Sequence, residues 1–178
     1  FYPQVFSKMK YPQDTYLYKG TRVTNTWIRT GDIDKYSPIT QVYGIIFNDK
    51  GEILVCRESK EGGWIIPGGH PEEGESIEET LKRELLEEVD VEVDDIKPLG
   101  VQKVTFPDDK DSDKAIYQVR CIAKLKKFNP QTPDPANGST WERKFVPSSE
   151  VTNYVKWGKT GEAIFNDAIK LAKQHITS

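Results

Sequence analysis

The stretch Gly69-His70-Pro71-Glu72-Glu73-Gly74-Glu75-Ser76-Ile77-Glu78-Glu79-Thr80-Leu81-Lys82-Arg83-Glu84-Leu85-Leu86-Glu87-Glu88-Val89-Asp90-Val91 decides how this chain is read. Ser76 with Glu79 three residues on forms a capping box, in which hydroxyl and carboxylate each satisfy an orphan backbone N–H. A helix over 76–89 is predicted, because Ile77, Leu81, Leu85 and Val89 recur every four residues. At about 100° per residue they fall near 0°, 40°, 80° and 120°, which marks the buried stripe. On the same wheel Glu88 lies at about 20°, Glu84 at about 340° and Glu87 at about 280°. Three carboxylates thus line one margin of an apolar stripe, and Glu88 points partly inside it.

Like charges on adjacent turns repel, and a half-buried carboxylate is poorly solvated. A divalent cation removes both penalties, and an all-oxygen donor set suits Mg²⁺ or Mn²⁺. Arg83, at about 240°, is placed to pair with Glu75, Glu79 or Glu87 and steady the acidic face. Taken alone, the pattern also fits an acidic helix face turned to solvent.

The spacing goes further. Gly69, five residues, Glu75, seven residues, then Arg83-Glu84-Leu85-Leu86-Glu87-Glu88-Val89-Asp90-Val91 resembles the Nudix box, G-x5-E-x7-R-E-U-x-E-E-x-G-U with U aliphatic. Trp64-Ile65-Ile66-Pro67-Gly68-Gly69 and Glu72 resemble its usual lead-in. The resemblance implies that Glu84, Glu87 and Glu88 bind the metal, with the Gly68 carbonyl as a further ligand. It implies that Arg83 orients them and that Glu75 is an accessory carboxylate. It also implies Mg²⁺-dependent hydrolysis of a nucleoside diphosphate linked to some other group, such as ADP-ribose or a nucleotide sugar. Two alternatives are a nucleoside triphosphate pyrophosphohydrolase, acting on canonical or oxidised nucleotides, and a non-catalytic binding module of the same fold. Loss of a box carboxylate would mark the last, and none is lost. One position departs: Asp90 stands where the family has Gly. Gly forms a left-handed helix cap freely, whereas Asp adopts it at a cost of order 1 kcal/mol, so Asp90→Gly is expected to stabilise by roughly 0.5–1 kcal/mol.

Outward from the helix, Ile39 to Phe47 reads as a buried strand, Asn48 to Gly51 as a turn, and Glu52 to Arg57 as a hairpin partner. Ile96 to Phe106, Ala115 to Leu125 and Trp141 to Val146 are further strands. Glu162 to Gln174 is a final helix with Ile164, Phe165, Ala168, Ile169 and Ala172 on one face. Strands and helices mix without a regular βαβ rhythm, so an α+β class is expected, an α/β/α sandwich around a mixed β-sheet. Residues 39–178 form the catalytic domain in this reading. Residues 1–38 form an extension, with residues 1–14 an arm and Thr15 to Thr30 a hairpin broken at Gly20. In the ADP-ribose hydrolases, which the family resemblance brings in, such strands build a homodimer; here they either do that or cover a sheet edge.

Substrate signals are thinner. A proline some 15 or 16 residues past the box marks those hydrolases, and Pro107 lies 16 past Val91. Glu142 stands where several members of the family place another catalytic carboxylate, with a surface ion pair as the plain alternative. Arg57, at a strand end, could meet phosphate but reads as an ordinary surface charge. Tyr43, Trp141 and Trp157 could stack on a base but read as core. The loop Asn129 to Thr140 has a length often tied to function. Asp109, Asp111 and Asp113 imitate a calcium loop, but Lys114 replaces its glycine and Arg120 its closing glutamate.

The 178 residues suffice for one domain plus an extension, and 11% aromatic content excludes a disordered chain. With 25 Lys and Arg against 28 Asp and Glu the net charge is −3, which argues against nucleic-acid or polybasic membrane partners. The substrate expected is a small nucleotide. Apolar runs fall far short of the ~20 residues of a membrane span, and no signal-peptide pattern opens the chain. Cys56 and Cys121 sit in apolar runs; a structural disulfide is the alternative, but they read as buried free thiols of a reducing compartment, hence a cytoplasmic protein.

Overall fold

The computed structural model describes residues 11–111 and 113–175. Strand β3 (Ile39–Phe47) lies inside the sheet, and its alternate residues serve two cores. Val42 and Ile46 face one layer, Ile45 and Phe47 the other. β7 (Ala115–Phe128) runs parallel to β3, and β4 (Ile53–Arg57) antiparallel. Beyond β7 come β6 (Val91–Thr105), β2 (Thr21–Arg29) and β1 (Gln13–Tyr18), while β8 (Glu142–Val146) edges β4. With β5 (Gly68–Gly69) on β3 they form one mixed, eight-stranded sheet.

Helix α1 (Ile77–Val89) buries Leu81, Leu85 and Val89 among Val42, Ile46, Leu54 and Val91. On the opposite face α2 (Val151–Tyr154) and α3 (Gly158–His175) cover Trp27, Ile45, Phe47 and Val55, with Ile164, Phe165 and Ala168 of α3 buried there. The expected sandwich is the one that forms. Burial of these apolar faces is its main stabilising term. Cys56 and Cys121 are free and buried on the α1 side, where burial pushes the Cys121 thiol up to about 12. Among the described residues no helix is long and apolar enough to cross a membrane.

Two features place the box. β4 registers with β3 at Phe47↔Ile53 and then follows β8. The other end of β3 is thereby open to Gly68 and Gly69, which pair with Tyr43 and Val42. Gly68 has φ +151, and a Cβ there would meet the Val42 carbonyl at 2.2 Å. Only glycine fits so tight a seam.

The N-terminal hairpin turns at Lys19-Gly20, both at positive φ, and β2 continues the sheet on β6. Some bounds differ from the sequence reading. β6 starts at Val91 rather than Ile96, because a bulge between Asp94 and Lys97, with Asp95 at φ +53, breaks the alternation that would reveal it. α3 starts at Gly158 rather than Glu162. Its N-terminal cap comes from outside the helix: Asp14 of β1 accepts from the Thr160 amide at 2.7 Å and its hydroxyl at 2.9 Å. The arm expected over residues 1–14 falls mostly on residues 1–10, outside the described ones.

Candidate active site

The capping box of α1 is complete: Glu79 N donates to Ser76 Oγ at 3.2 Å, and Ser76 N to Glu79 Oε2 at 2.8 Å. Glu79 is thereby taken, and Arg83 turns to Glu75, donating to its oxygens at 2.7 and 3.1 Å. Arg83 also reaches Glu84 at 2.9 Å, Glu87 at 3.2 Å and the His70 carbonyl at 2.8 Å. One guanidinium therefore fixes three carboxylates and the loop before them. Hydrogen bonds from Arg83 and the Glu72 amide outweigh burial and hold the Glu75 carboxyl down at about 2.

Glu88 is handled differently. Its Oε2 accepts from the Gly68 amide at 3.1 Å. Burial dominates over that bond and, with the Glu84 charge added, raises the Glu88 carboxyl to about 8. Burial also raises Glu84, against the pull of Arg83. Gly69 lies so close that a Cβ would meet the Glu84 carboxylate at 2.4 Å. Glu84, Glu87 and Glu88 thus share the margin predicted for them, two held by Arg83 and one by the sheet. Among the described residues no three acidic, His or Cys side chains already converge as a metal cage. The donor set still fits a hard divalent ion: it is made of carboxylate oxygens, and burial raises the basicity of those on Glu84 and Glu88.

Asp90 overturns the expectation that glycine would serve better there. It does take the left-handed conformation, at φ 51 and ψ 45. Its carboxylate, however, accepts from the Thr132 amide and hydroxyl, both at 2.7 Å. The loop Asn129 to Thr140 is pinned to the end of α1 in this way. Arg143 of β8 donates to the Val89 carbonyl at 2.5 Å and to the Asn129 carbonyl at 2.5 Å. α1 has no basic residue in its last turn, and Arg143 supplies the cation that a helix C-terminus favours.

Across the sheet from α1 lies a cavity of about 720 Å³, lined by Tyr16, Asn25, Gln41, Gln118, Arg120 and Trp157 among others. It adjoins the carboxylates at a single strand pair: Tyr43, also lining it, registers with Gly68. Arg120 is 2% exposed, with its guanidinium carbon 4.6 Å from the Tyr43 ring centre and 5.3 Å from that of Trp157. Burial lowers it to about 10. Tyr43 and Trp157, read from sequence as core, are cavity wall. Trp141 is core, its indole N–H bonded to Asp134. β1 and β2 contribute Asp14, Thr15, Tyr16, Tyr18 and Asn25 to the lining, whereas Pro107 and the loop Asn129 to Thr140 contribute nothing to it. Glu142 pairs with Arg57 at 2.7 Å, strand neighbour to strand neighbour, the plain alternative weighed for it. Sequence reading missed Arg120. Its signal was a polar residue at every second position, Gln118 then Arg120, inside an apolar strand.

The comparisons with known proteins agree with this geometry. The model of the NUDIX domain matches residues 38–165. The 8-oxo-dGDP phosphatase NUDT18 of Danio rerio is 43% identical over 65 residues, 35% of this chain and 20% of that protein. The RNA pyrophosphohydrolase of Pasteurella multocida is 35% identical over 72 residues, 40% of this chain and 35% of that one. The chain thus spans about a fifth to a third of the length of these curated relatives. In fold it is similar to the Bacillus subtilis pyrophosphohydrolase BsRppH, with a TM-score of 0.62 at 20% identity over 93% of this chain and 99% of that one. With the box geometry in place and most of its length matched by the family model, the chain belongs to the NUDIX domain family.

Proposed function

We propose that this chain hydrolyses a nucleoside diphosphate linked to another moiety, of the ADP-ribose or nucleotide-sugar type, with Mg²⁺ or Mn²⁺ held by Glu84, Glu87, Glu88 and the Gly68 carbonyl. One observation carries the reading: a full set of box carboxylates lies one strand pair away from a cavity of nucleoside size. The bound ion would neutralise the diphosphate and acidify a water. The chain does the rest. Arg83 keeps Glu84 and Glu87 on one margin, and Glu75 anchors Arg83. A carboxyl near 2 makes Glu75 a poor proton acceptor at neutral pH, whereas Glu88, near 8 without metal, holds a proton most readily.

A nucleoside triphosphate pyrophosphohydrolase acting on canonical or oxidised nucleotides remains the second reading; the relative named as an 8-oxo-dGDP phosphatase supports its oxidised-nucleotide part, on a diphosphate. A panel of nucleotides with Mg²⁺ and chromatographic product analysis separates the two. A nucleotide sugar or ADP-ribose should exceed every canonical dNTP in kcat/KM by at least about tenfold. Release of pyrophosphate from a dNTP as the dominant reaction would promote the second reading instead.

A further inference from the structure

Among the described residues, two buried side-chain polar atoms have no hydrogen-bond partner: Arg120 Nε and Asn25 Oδ1. Both residues line the same cavity, though they come from different strands. A buried unpaired polar atom costs free energy, and two in one cavity mark what a ligand must supply. The first calls for an acceptor, the second for a donor.

The surroundings say what kind of ligand that is. The Arg120 guanidinium donates to Gln118 Oε1 at 3.1 Å and to the Val119 carbonyl at 3.4 Å, and no carboxylate among the described residues pairs with it. Aromatic rings of Tyr43 and Trp157 flank it. Tyr16 and Tyr18 add further aromatic surface, and Gln41, Gln102, Gln118 and Lys156 supply polar groups to the lining. Aromatic walls with side-chain amides suit a planar heterocycle better than a phosphate, which would call for several clustered cations and backbone N–H groups.

We propose that this cavity receives the base of the substrate and that Arg120 selects a 6-oxopurine over a 6-aminopurine. The proposal rests on the nucleotide-hydrolase reading above and narrows it, within the nucleotide-sugar type, to guanine-bearing diphosphate derivatives in place of ADP-ribose. A guanidinium presents parallel N–H donors. The O6 and N7 of guanine are two adjacent acceptors that match them, whereas adenine sets an amino donor beside N7 and repels one of the two. The N1–H and 2-amino groups of guanine are the donors that an Asn25 oxygen lacks. Arg120 is a specificity residue here, with no part in the bond cleavage.

The test is calorimetric binding of GMP, IMP and AMP to the full chain without metal, so that no turnover enters. GMP should bind at least about tenfold tighter than AMP, with IMP closer to GMP. Arg120→Met fills the same space without donors and should bring GMP and AMP to equal affinity. The variant should unfold at a temperature no lower than the parent, because a buried cation without a counter-ion is removed. Asn25→Leu should cost GMP more than IMP, which has no 2-amino group. Equal binding of GMP and AMP by the parent would overturn the proposal. So would discrimination that survives Arg120→Met, or loss in that variant of inorganic pyrophosphate binding alone, which would make the cavity an anion site. Glu88→Gln lies outside the cavity and should keep the base preference. Base selection in a chain that hydrolyses nothing therefore sinks the hydrolase reading alone, and hydrolysis without base selection sinks this proposal alone.

Discussion

Around α1, Arg83 touches Glu75, Glu84 and Glu87 within 3.2 Å, so each charge has its opposite at hand. Across the sheet Arg120 touches two rings, an amide and a backbone carbonyl, and among the described residues no carboxylate pairs with it. The two guanidiniums teach different lessons about buried charge. Arg83 is spent on holding other side chains still, which is what a pre-organised ligand set requires. Arg120 keeps its Nε–H in reserve, and a group in reserve inside a protein points to something that binds. The helix carries chemistry that a family shares, and the cavity carries what makes one member differ.

The largest effect should come from the one box carboxylate that Arg83 does not touch. Glu88→Gln is expected to lower kcat/KM by at least about 100-fold, close to 3 kcal/mol of transition-state stabilisation. The same change should stabilise the metal-free protein, and the sign follows from its titration. Burial first, and the Glu84 charge after it, raise the folded Glu88 to about 8 from an unfolded value of 4.5. The folded chain thus binds the proton more tightly, so metal-free stability is full below about pH 4.5 and falls as pH rises through about 8. Glu88→Gln should therefore match the parent at pH 4, melt above it at pH 9, and show a flatter profile between. A parent whose Tm is flat from pH 5 to 9 would place Glu88 in a wetter setting than its contacts describe.

How much of this was legible beforehand follows from where the partners lie. Ser76, Glu79, Arg83, Glu84, Glu87 and Glu88 act within one helix, and a helix turns spacing into position, so the carboxylate margin could be read from a wheel. The strands of the core were equally plain wherever apolar residues alternate. The cavity was not, because Asp14, Asn25, Gln41, Gln102, Arg120 and Trp157 come from β1, β2, β3, β6, β7 and the residue just before α3. No local period connects them. Asp90 failed for a related reason: its backbone conformation was predictable from its place at the helix end, but its partner, Thr132, lies 42 residues on.

Asp90→Gly tests that failure directly. Each charge-assisted hydrogen bond lost with the carboxylate is worth roughly 1.5–3 kcal/mol, against about 1 kcal/mol regained by relieving the left-handed backbone. With two such bonds lost, the net expectation is a loss of about 2–5 kcal/mol in urea unfolding, with chemistry on the helix little changed. Asp90→Asn keeps one acceptor and should fall between. A gain in stability for glycine would mean that the loop Asn129 to Thr140 holds itself in place without Asp90.

The smallest effect belongs to Asp14, which ties the cavity wall to the opposite end of the chain. Burial pushes its carboxyl up, but hydrogen bonds from the Thr160 amide and hydroxyl outweigh that and leave it below the usual range. Its stabilising share is therefore present above an ordinary carboxylate pKa of 3.8 and lost as pH falls below it. Asp14→Ala removes the cap of α3 and should cost about 1 kcal/mol at pH 7, while the gap between parent and variant narrows as pH falls below 3.8. Asp14→Asn, as good a cap without the charge, should restore most of the loss. Because Asp14 also lines the cavity and not the carboxylate margin, KM should rise a few-fold in the alanine variant and kcat should hold. A fall in kcat with KM unchanged would break the division drawn between the two sides of the sheet, since it would show the hairpin reaching the chemistry on α1 and not only the group that the substrate carries.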